Sequence, residues 1–308
     1  MVSFRRLLRD GRLRLESRGI RNAGRESEWL LERAVGLAFD QFRIRLDREC
    51  PAAAADFFAS FVERRQAGEP LQHILGDVDF FGYRLEVGSG VLIPRPETEC
   101  LVDLALRLYP GQGSVCDVCT GSGAIALVLA CELRNAPTVV AGDLSAAALA
   151  YAARNRDYHQ AARLHLFQGD LFQPLRKVGV GFSMITANPP YVSGAEYADL
   201  PREVRGFDPA SALLAGADGM SMVERVLREG RPMLAPGGWL LCEIGESQGA
   251  AALRILERNG YIQGRIEKDL AGRDRMVVAT VPHGLSPGEV PQPRAGGSTQ
   301  RRTTKQFD

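Results

Sequence analysis

The tetrapeptide Asn188-Pro189-Pro190-Tyr191 is the most specific chemical signal in this sequence. Its prolines fix the backbone and lack N–H donors, so the loop presents carbonyl oxygens. The Asn188 side-chain oxygen and the Pro189 carbonyl can accept from both N–H bonds of a planar amide or aromatic amine, and Tyr191 offers a face for stacking. Such acceptors stabilise the positive charge that this nitrogen gains on methylation. The motif predicts methyl transfer to a flat amino group, without a catalytic histidine.

A second candidate site is the segment from Cys119 to Gly123, which joins an apolar run to a helical pattern. Glycine lets the backbone approach a ligand closely, and the start of a helix carries partial positive charge. We therefore predict that Thr120, Gly121 and Gly123 bind a cofactor. Dinucleotide-binding folds use a similar loop, so the segment alone does not identify the ligand.

Two carboxylates follow the next two apolar runs. Asp143 lies twenty residues past Gly123, a spacing from which a carboxylate reaches two ribose hydroxyls in nucleotide-binding α/β folds. An N-cap for the following helix is the alternative role, although Ser145 could fill it. Asp170 could accept from an adenine amino group or, equally well, bond its own backbone in a turn. Together the strand ends favour one nucleoside site.

The elements that must position these residues follow from the apolar patterning. Helical periodicity runs from residue 1 to about 75, with Phe57 and Phe58 expected on one apolar face. Alternation over residues 79–93 predicts a hairpin-like connector with its turn at Gly88-Ser89-Gly90, and a helical pattern resumes at Leu101.

Beyond residue 112 the pattern predicts a mostly parallel α/β sheet. Its last two strands should pair antiparallel, because their link is too short for a crossover helix. The expected strands lie near residues 114–118, 138–143, 165–168, 182–187, 239–244, 264–268 and 275–281. We divide the chain into a helical substrate-recognition domain (1–75), a hairpin connector with a linker helix (76–111), a catalytic domain (112–282) and a disordered tail (283–308).

Composition excludes several functional classes. The 308 residues include 45% hydrophobic residues and carry a formal net charge of +1, which gives no general reason to bind nucleic acid or a membrane. No signal peptide or membrane-spanning run is evident, so a cytoplasmic location is expected. The six cysteines are scattered and fit buried thiols, and no metal is expected because Cys116 and Cys119 lack two further ligands.

Several motifs resemble the HemK-type N5-glutamine methyltransferases, over roughly residues 65–281. Besides the Asn-Pro-Pro-Tyr motif and the glycine segment, they are PLQHILG at 70–76, GVLIPRPETE at 90–99, the Pro-Gly-Gly at 236–238 with Glu-Ile-Gly at 243–245, and DLAGRDR at 269–275. The resemblance implies a Rossmann-like class I methyltransferase sheet with a small N-terminal helical domain. It also implies S-adenosylmethionine as cofactor and class 1 peptide chain release factors as partners, methylated at the Gly-Gly-Gln glutamine.

The resemblance also implies residue roles. It places the ribose at Asp143, the adenine edge at Asp170 and Leu171, and the substrate amide at Asn188 and Pro189. It further brings Arg95, Pro96, Glu97 and Thr98 near the cofactor and substrate, with Arg95 and Glu97 as substrate-binding residues beside Pro190 and Tyr191.

Two positions depart from the family pattern, and four other functions have to be weighed against it. Cys119 replaces the first glycine of the loop, where a positive φ would be strained, and Phe207-Asp208-Pro209 replaces a Glu-Pro pair. Methylation of a ribosomal-protein glutamine or of adenine N6 would use the same tetrapeptide, but the latter should add a base-recognition domain or basic groove. A non-catalytic binding module and a nicotinamide oxidoreductase leave the tetrapeptide unexplained.

Overall fold

The computed structural model describes residues 2–133, 135, 138–176, 179 and 181–283. Its N-terminal part is helical, with α1 (Phe4–Glu16), α2 (Ala23–Val35), α3 (Phe39–Arg43), α4 (Ala52–Gln66) and α5 (Leu71–Leu75). The side chain of Ser3 caps α1 by accepting from the Arg6 N–H. These helices pack around a small apolar core that includes Leu30 and Phe58. Phe57, expected on the same face as Phe58, is instead exposed, because adjacent helical residues point about 100° apart.

A hairpin follows, formed by β1 (Asp77–Phe80) and β2 (Tyr83–Glu86). The prediction of its turn at residues 88–90 was wrong, since the chain reverses at Phe81 and Gly82. Both have positive φ, 54° and 77°, which matches the twist of a two-residue hairpin turn. The next helix, α6 (Pro96–Leu108), starts five residues before the predicted Leu101, because Pro96 occupies its first turn, where no N–H is needed.

The main sheet contains all seven predicted strands. They are β3 (Val115–Val118), β4 (Val139–Asp143), β5 (Leu164–Gln168), β6 (Phe182–Ala187), β7 (Leu234–Glu243), β8 (Ile262–Lys268) and β9 (Asp274–Thr280). Their order is β5-β4-β3-β6-β7-β9-β8. Neighbours from β5 to β7 are parallel, and β9 is antiparallel to both β7 and β8. The mostly parallel α/β fold and the antiparallel final pair are confirmed.

Apolar side chains cover both faces of this sheet. Val115 and Met184 belong to one buried cluster, whereas their neighbours Cys116 and Ile185 belong to the other, as the alternation of side chains along a strand requires. The helices that pack on the sheet here include α7 (Ala124–Glu132), α8 (Ala146–Tyr158), α11 (Ser221–Gly230) and α12 (Gly249–Arg258). Two short helices, α9 (Gly194–Asp199) and α10 (Arg202–Phe207), follow β6.

The winding direction of the sheet changes between β3 and β6. From β3 the chain proceeds outward to β4 and β5, then returns to the other side of β3 as β6. In open α/β sheets the crevice at such a switch point is where ligands bind. No helix among the described residues is long and apolar enough to cross a membrane. The predicted domain boundaries stay predictions, and the tail from residue 284 onward lies outside the described residues.

Candidate functional site

Two adjoining cavities lie at the carboxyl edge of the sheet. The large cavity, of about 520 Å³, is bordered by the loops that follow β3, β4, β5 and β6. The small cavity, of about 50 Å³, lies beside Arg95, Pro189 and Tyr191. Leu92, Asn188 and Ala212 line both cavities, and Asn188 is the polar residue among them, so it can contact a ligand in either cavity.

The loop after β3 takes the shape that the sequence predicted. Cys119, Gly121 and Gly123 all have positive φ, 57°, 57° and 83°. A Cβ at Gly123 would lie 3.1 Å from the Cβ of Ala152, so this glycine allows α7 and α8 to pack closely. Thr120 and Gly121 line the large cavity, whereas Gly123 does not. Cys119 thus has the positive φ that was expected to be unfavourable for a residue with a Cβ.

Asp143 ends β4 and supports this loop with its carboxylate. Oδ2 accepts from the Gly121 N–H at 2.8 Å, and Oδ1 accepts from the Ser145 N–H at 2.8 Å. Each oxygen keeps a further lone pair for a ligand in the large cavity. Burial raises the pKa of this carboxyl, and the backbone donors partly oppose the shift. Ser145 itself caps α8, so Asp143 is not needed for that role.

Asp170 lies at the rim of the large cavity, in a contact that the sequence did not reveal. Both of its oxygens accept from one Arg225 nitrogen, at 3.0 and 2.9 Å. Arg225 also contacts the sulfur of Met222, which lines the same cavity. The next residue, Leu171, is buried, lines the cavity and has φ of 48°. The turn therefore directs Asp170 and Leu171 toward the same space.

Asn188 begins a chain of hydrogen bonds that lies behind the two cavities. Its Nδ2 donates to Thr98 Oγ1 at 3.2 Å, and Thr98 Oγ1 donates to Glu243 Oε2 at 2.7 Å. The Tyr191 hydroxyl donates to Glu243 Oε1 at 2.9 Å. Burial raises the pKa of Glu243, opposed by these hydrogen bonds and by nearby Arg275. The two side chains expected to hold a planar amide thus share one buried carboxylate.

Only some residues of the Pro-Arg-Pro-Glu-Thr segment (94–98) line the two cavities. Arg95 lines the small cavity and forms an ion pair with the buried Asp208. Thr98 is buried and lines the large cavity. Pro96 and Glu97 are exposed and are not among the residues that line either cavity. Of the two substrate-binding residues predicted here, only Arg95 reaches the site.

Sequence reasoning missed several residues of the site. Ser122 lines the large cavity, and its buried hydroxyl has no hydrogen-bond partner among the described residues. Pro209 and Met222 also line it, although both lie far from the glycine loop in sequence. A signal existed only for Ser122, which stands inside the predicted loop. Residues that reach the cavity from distant loops, such as Pro209 and Met222, have no local sequence pattern that predicts their place in the site.

Comparisons with known proteins agree with this geometry. A family described as PrmC N-terminal domain matches residues 6–76, and one described as Methyltransferase small domain matches residues 83–204. The catalytic domain of hMettl16, solved in complex with MAT2A 3'UTR hairpin 6, has a similar fold, with a TM-score of 0.55 and 18% identity over 73% of this chain and 84% of that chain. The last likeness concerns the fold alone.

Two relatives extend the likeness over nearly their whole length. The release factor glutamine methyltransferase of Geobacter sulfurreducens is 38% identical over 263 residues, covering 85% of this chain and 91% of the relative. The protein of that name from Moorella thermoacetica is 39% identical over 282 residues, covering 90% of this chain and 98% of the relative. The sheet, the site and these matches agree, and the chain belongs to the family of release factor glutamine methyltransferases.

Proposed function

We propose that this enzyme transfers a methyl group from S-adenosylmethionine to the side-chain nitrogen (N5) of the glutamine in the Gly-Gly-Gln loop of class 1 peptide chain release factors. The names of the relatives support the substrate. The observation that carries the reaction type is the meeting of the two cavities at Asn188. A substrate that is a translation factor places the reaction in the cytoplasm.

The large cavity suits the cofactor in size and in the chemistry of its lining. Its volume of about 520 Å³ falls within the roughly 300–1,000 Å³ usual for small-molecule sites. Asp143 would hold the ribose hydroxyls, Asp170 and Leu171 the adenine edge, and the loop from Thr120 to Gly123 the remainder. The unpartnered Ser122 hydroxyl offers a further polar contact. When bound, S-adenosylmethionine supplies an electrophilic methyl group.

The residues of the small cavity suit a flat primary amide. An amide nitrogen is a weak nucleophile because its lone pair is delocalised, and it loses planarity and gains positive charge as it is methylated. The Asn188 Oδ1 and the Pro189 carbonyl would accept from its two N–H bonds and stabilise that charge. Tyr191 would pack against the amide plane. The methylated nitrogen is acidic enough to lose its extra proton to water.

The decisive experiment incubates the enzyme and S-adenosylmethionine with a release factor, a ribosomal protein and DNA in parallel, followed by tandem mass spectrometry. We expect one methyl group on the glutamine of the Gly-Gly-Gln loop. A flexible loop can insert an amide into a cavity of about 50 Å³, whereas a glutamine on a folded surface cannot. Methyl groups on adenine, or on the ribosomal protein alone, would overturn the proposal.

An Asn188→Ala variant tests the role of the tetrapeptide in the same experiment. It should slow transfer by roughly a hundredfold, the scale on which removal of one preorganised polar partner acts, while cofactor affinity by calorimetry changes little. Asn259→Ala, a change at the C-cap of α12, should leave the rate as it is. Equal rates for Asn188→Ala and the unchanged enzyme would remove the tetrapeptide from the mechanism.

A further inference from the structure

The buried side chains behind Asn188 suggest a role beyond packing. Thr98 is 3% exposed and Glu243 is 1% exposed, yet Glu243 bonds two side chains of the small cavity from behind, Tyr191 directly and Asn188 through Thr98. Burying a carboxylate is costly unless its hydrogen bonds compensate. Glu243 itself lines neither of the two cavities described above, so its cost of burial is not explained by direct contact with a ligand there.

Strand register explains why these groups meet. Ala187 on β6 pairs with Cys242 on the parallel neighbour β7, so the next residues, Asn188 and Glu243, emerge side by side at the carboxyl edge. Thr98 arrives from the first turn of α6, about ninety positions earlier in the chain. Three separate elements therefore converge on one hydrogen-bonded line.

The direction of the hydrogen bonds along this line is fixed at one end. A carboxylate only accepts hydrogen bonds, so the Thr98 hydroxyl must donate its proton to Glu243. The Thr98 oxygen then has only lone pairs to offer its other neighbour, and the Asn188 amide must turn its Nδ2 toward Thr98. Turning the amide over would place two oxygens with no proton between them at this contact. The remaining atom, Oδ1, is left as the free acceptor.

We propose that Thr98 and Glu243 are positioning residues that set the orientation of the Asn188 amide, so that its oxygen and not its NH2 group faces the small cavity. The inference rests on the proposed function, in which that oxygen accepts from the amide to be methylated. If the Asn188 amide were rotated by about 180°, its NH2 group would face the NH2 group of the substrate amide, and both groups are hydrogen-bond donors. Glu243 acts through Thr98 and does not itself reach the substrate.

The first test measures the orientation of the Asn188 amide, through the solvent exchange of its NH2 protons, and needs no substrate. The sequence has five asparagines, so 15N-asparagine labelling of the full chain yields few side-chain signals, and Asn188→Ala identifies the relevant pair by its loss. We expect one Asn188 NH2 proton to exchange slowly with solvent in the unchanged protein and in Thr98→Ser. Thr98→Val keeps the shape but removes the acceptor, so it should lose this slow exchange. Glu243→Met frees the Thr98 proton and lets the Asn188 amide turn over, so the exchange should become faster than in the unchanged protein.

The second test is kinetic. Thr98→Val and Glu243→Met should each lower kcat for methyl transfer by roughly tenfold or more with little change in KM for the cofactor, because the missing interaction acts only when charge develops on the amide. Thr98→Ser should restore most of the rate. Matched controls are Thr280→Val, a buried threonine on β9, and Glu246→Met, an exposed glutamate, which should leave kcat unchanged.

The outcomes separate the inference from the proposed function. If the unchanged enzyme methylates no release-factor glutamine, the proposed function fails while the exchange measurement still reports on Asn188. If Thr98→Val, with a melting temperature near that of the unchanged protein, keeps the slow Asn188 proton, the positioning role is overturned. A variant too unstable to measure is replaced by Thr98→Ala. Failure of Thr98→Ser to restore the rate would also contradict the inference.

Discussion

Asp143 combines two roles at the scale of a single residue. The same carboxylate that would bind the ribose already accepts from Gly121 and Ser145. Asp143→Ala should therefore weaken S-adenosylmethionine binding by about 1.5–3 kcal/mol, the range for hydrogen bonds to a charged group. Isothermal titration calorimetry measures this directly. Asp157→Ala, an exposed change in the last turn of α8, should bind the cofactor normally, and equal affinity for both variants would contradict the assignment.

Single residues were predictable where the chemistry is local. Asn188, Thr120 and Gly121 line the large cavity, and their place at the sheet edge could be predicted from their own segments, because strand ends and tight turns have a characteristic sequence. Arg225 beside Asp170 could not, since the contact spans 55 positions and depends on how α11 packs. Glu243 was visible only as part of a motif, because nothing in its neighbourhood indicates that Thr98 and Tyr191 converge on it.

Among the elements, the loop after β3 contains a residue in a disfavoured backbone region. Cys119 has φ of 57°, a region that costs a residue with a Cβ about 1–2 kcal/mol. Replacing Cys119 by Gly should therefore give a more stable protein than replacing it by Ala, by about 1 kcal/mol in the free energy of unfolding. Urea denaturation without cofactor checks this difference.

Cys116 provides the matched comparison, because it is buried in β3 and is absent from the residues with positive φ. There the order should reverse, with Cys116→Ala more stable than Cys116→Gly, since glycine weakens a strand. The same order at both positions would show that the Cys119 backbone is not strained.

The order of the elements was predictable, but some of their ends were not. Buried parallel strands read as short apolar runs, which is why β3, β4, β6 and β7 could be recognised. The hairpin turn was misplaced because Gly88-Ser89-Gly90 is a far more typical turn sequence than Phe81-Gly82. The insertion of β9 between β7 and β8 leaves no trace in the pattern of either strand, because pairing order is decided by contacts between distant segments.

At the scale of the whole molecule, Arg65 joins the helical part to the catalytic part. From α4 its Nε donates to Glu26 Oε2 at 2.7 Å, and its Nη1 lies 3.2 Å from Glu203 Oε2 on α10. Arg65→Met would leave Glu26 buried without its cation, and should cost about 3 kcal/mol in the free energy of unfolding.

Glu203→Gln tests the other half of this connection. Its side chain is 41% exposed, so it should cost less than about 1 kcal/mol. Urea unfolding of both variants gives the comparison. If the two losses were equal, the ion pair across the two parts of the chain, and not the one within the helical part, would be the main contribution of Arg65.

The switch of winding between β3 and β6 has a consequence for how this enzyme can evolve. In the proposed function, the ribose and adenine contacts of Asp143 and Asp170 lie after β4 and β5, whereas the substrate amide is held by Asn188 and Pro189 after β6, on the other side of the switch. Mutations after β6 can then alter which amine is accepted in a lineage that keeps its donor unchanged. These nucleoside and amide contacts are encoded by separate stretches of the gene, and Asn188, which lines both cavities, is a residue where selection on one set would constrain the other.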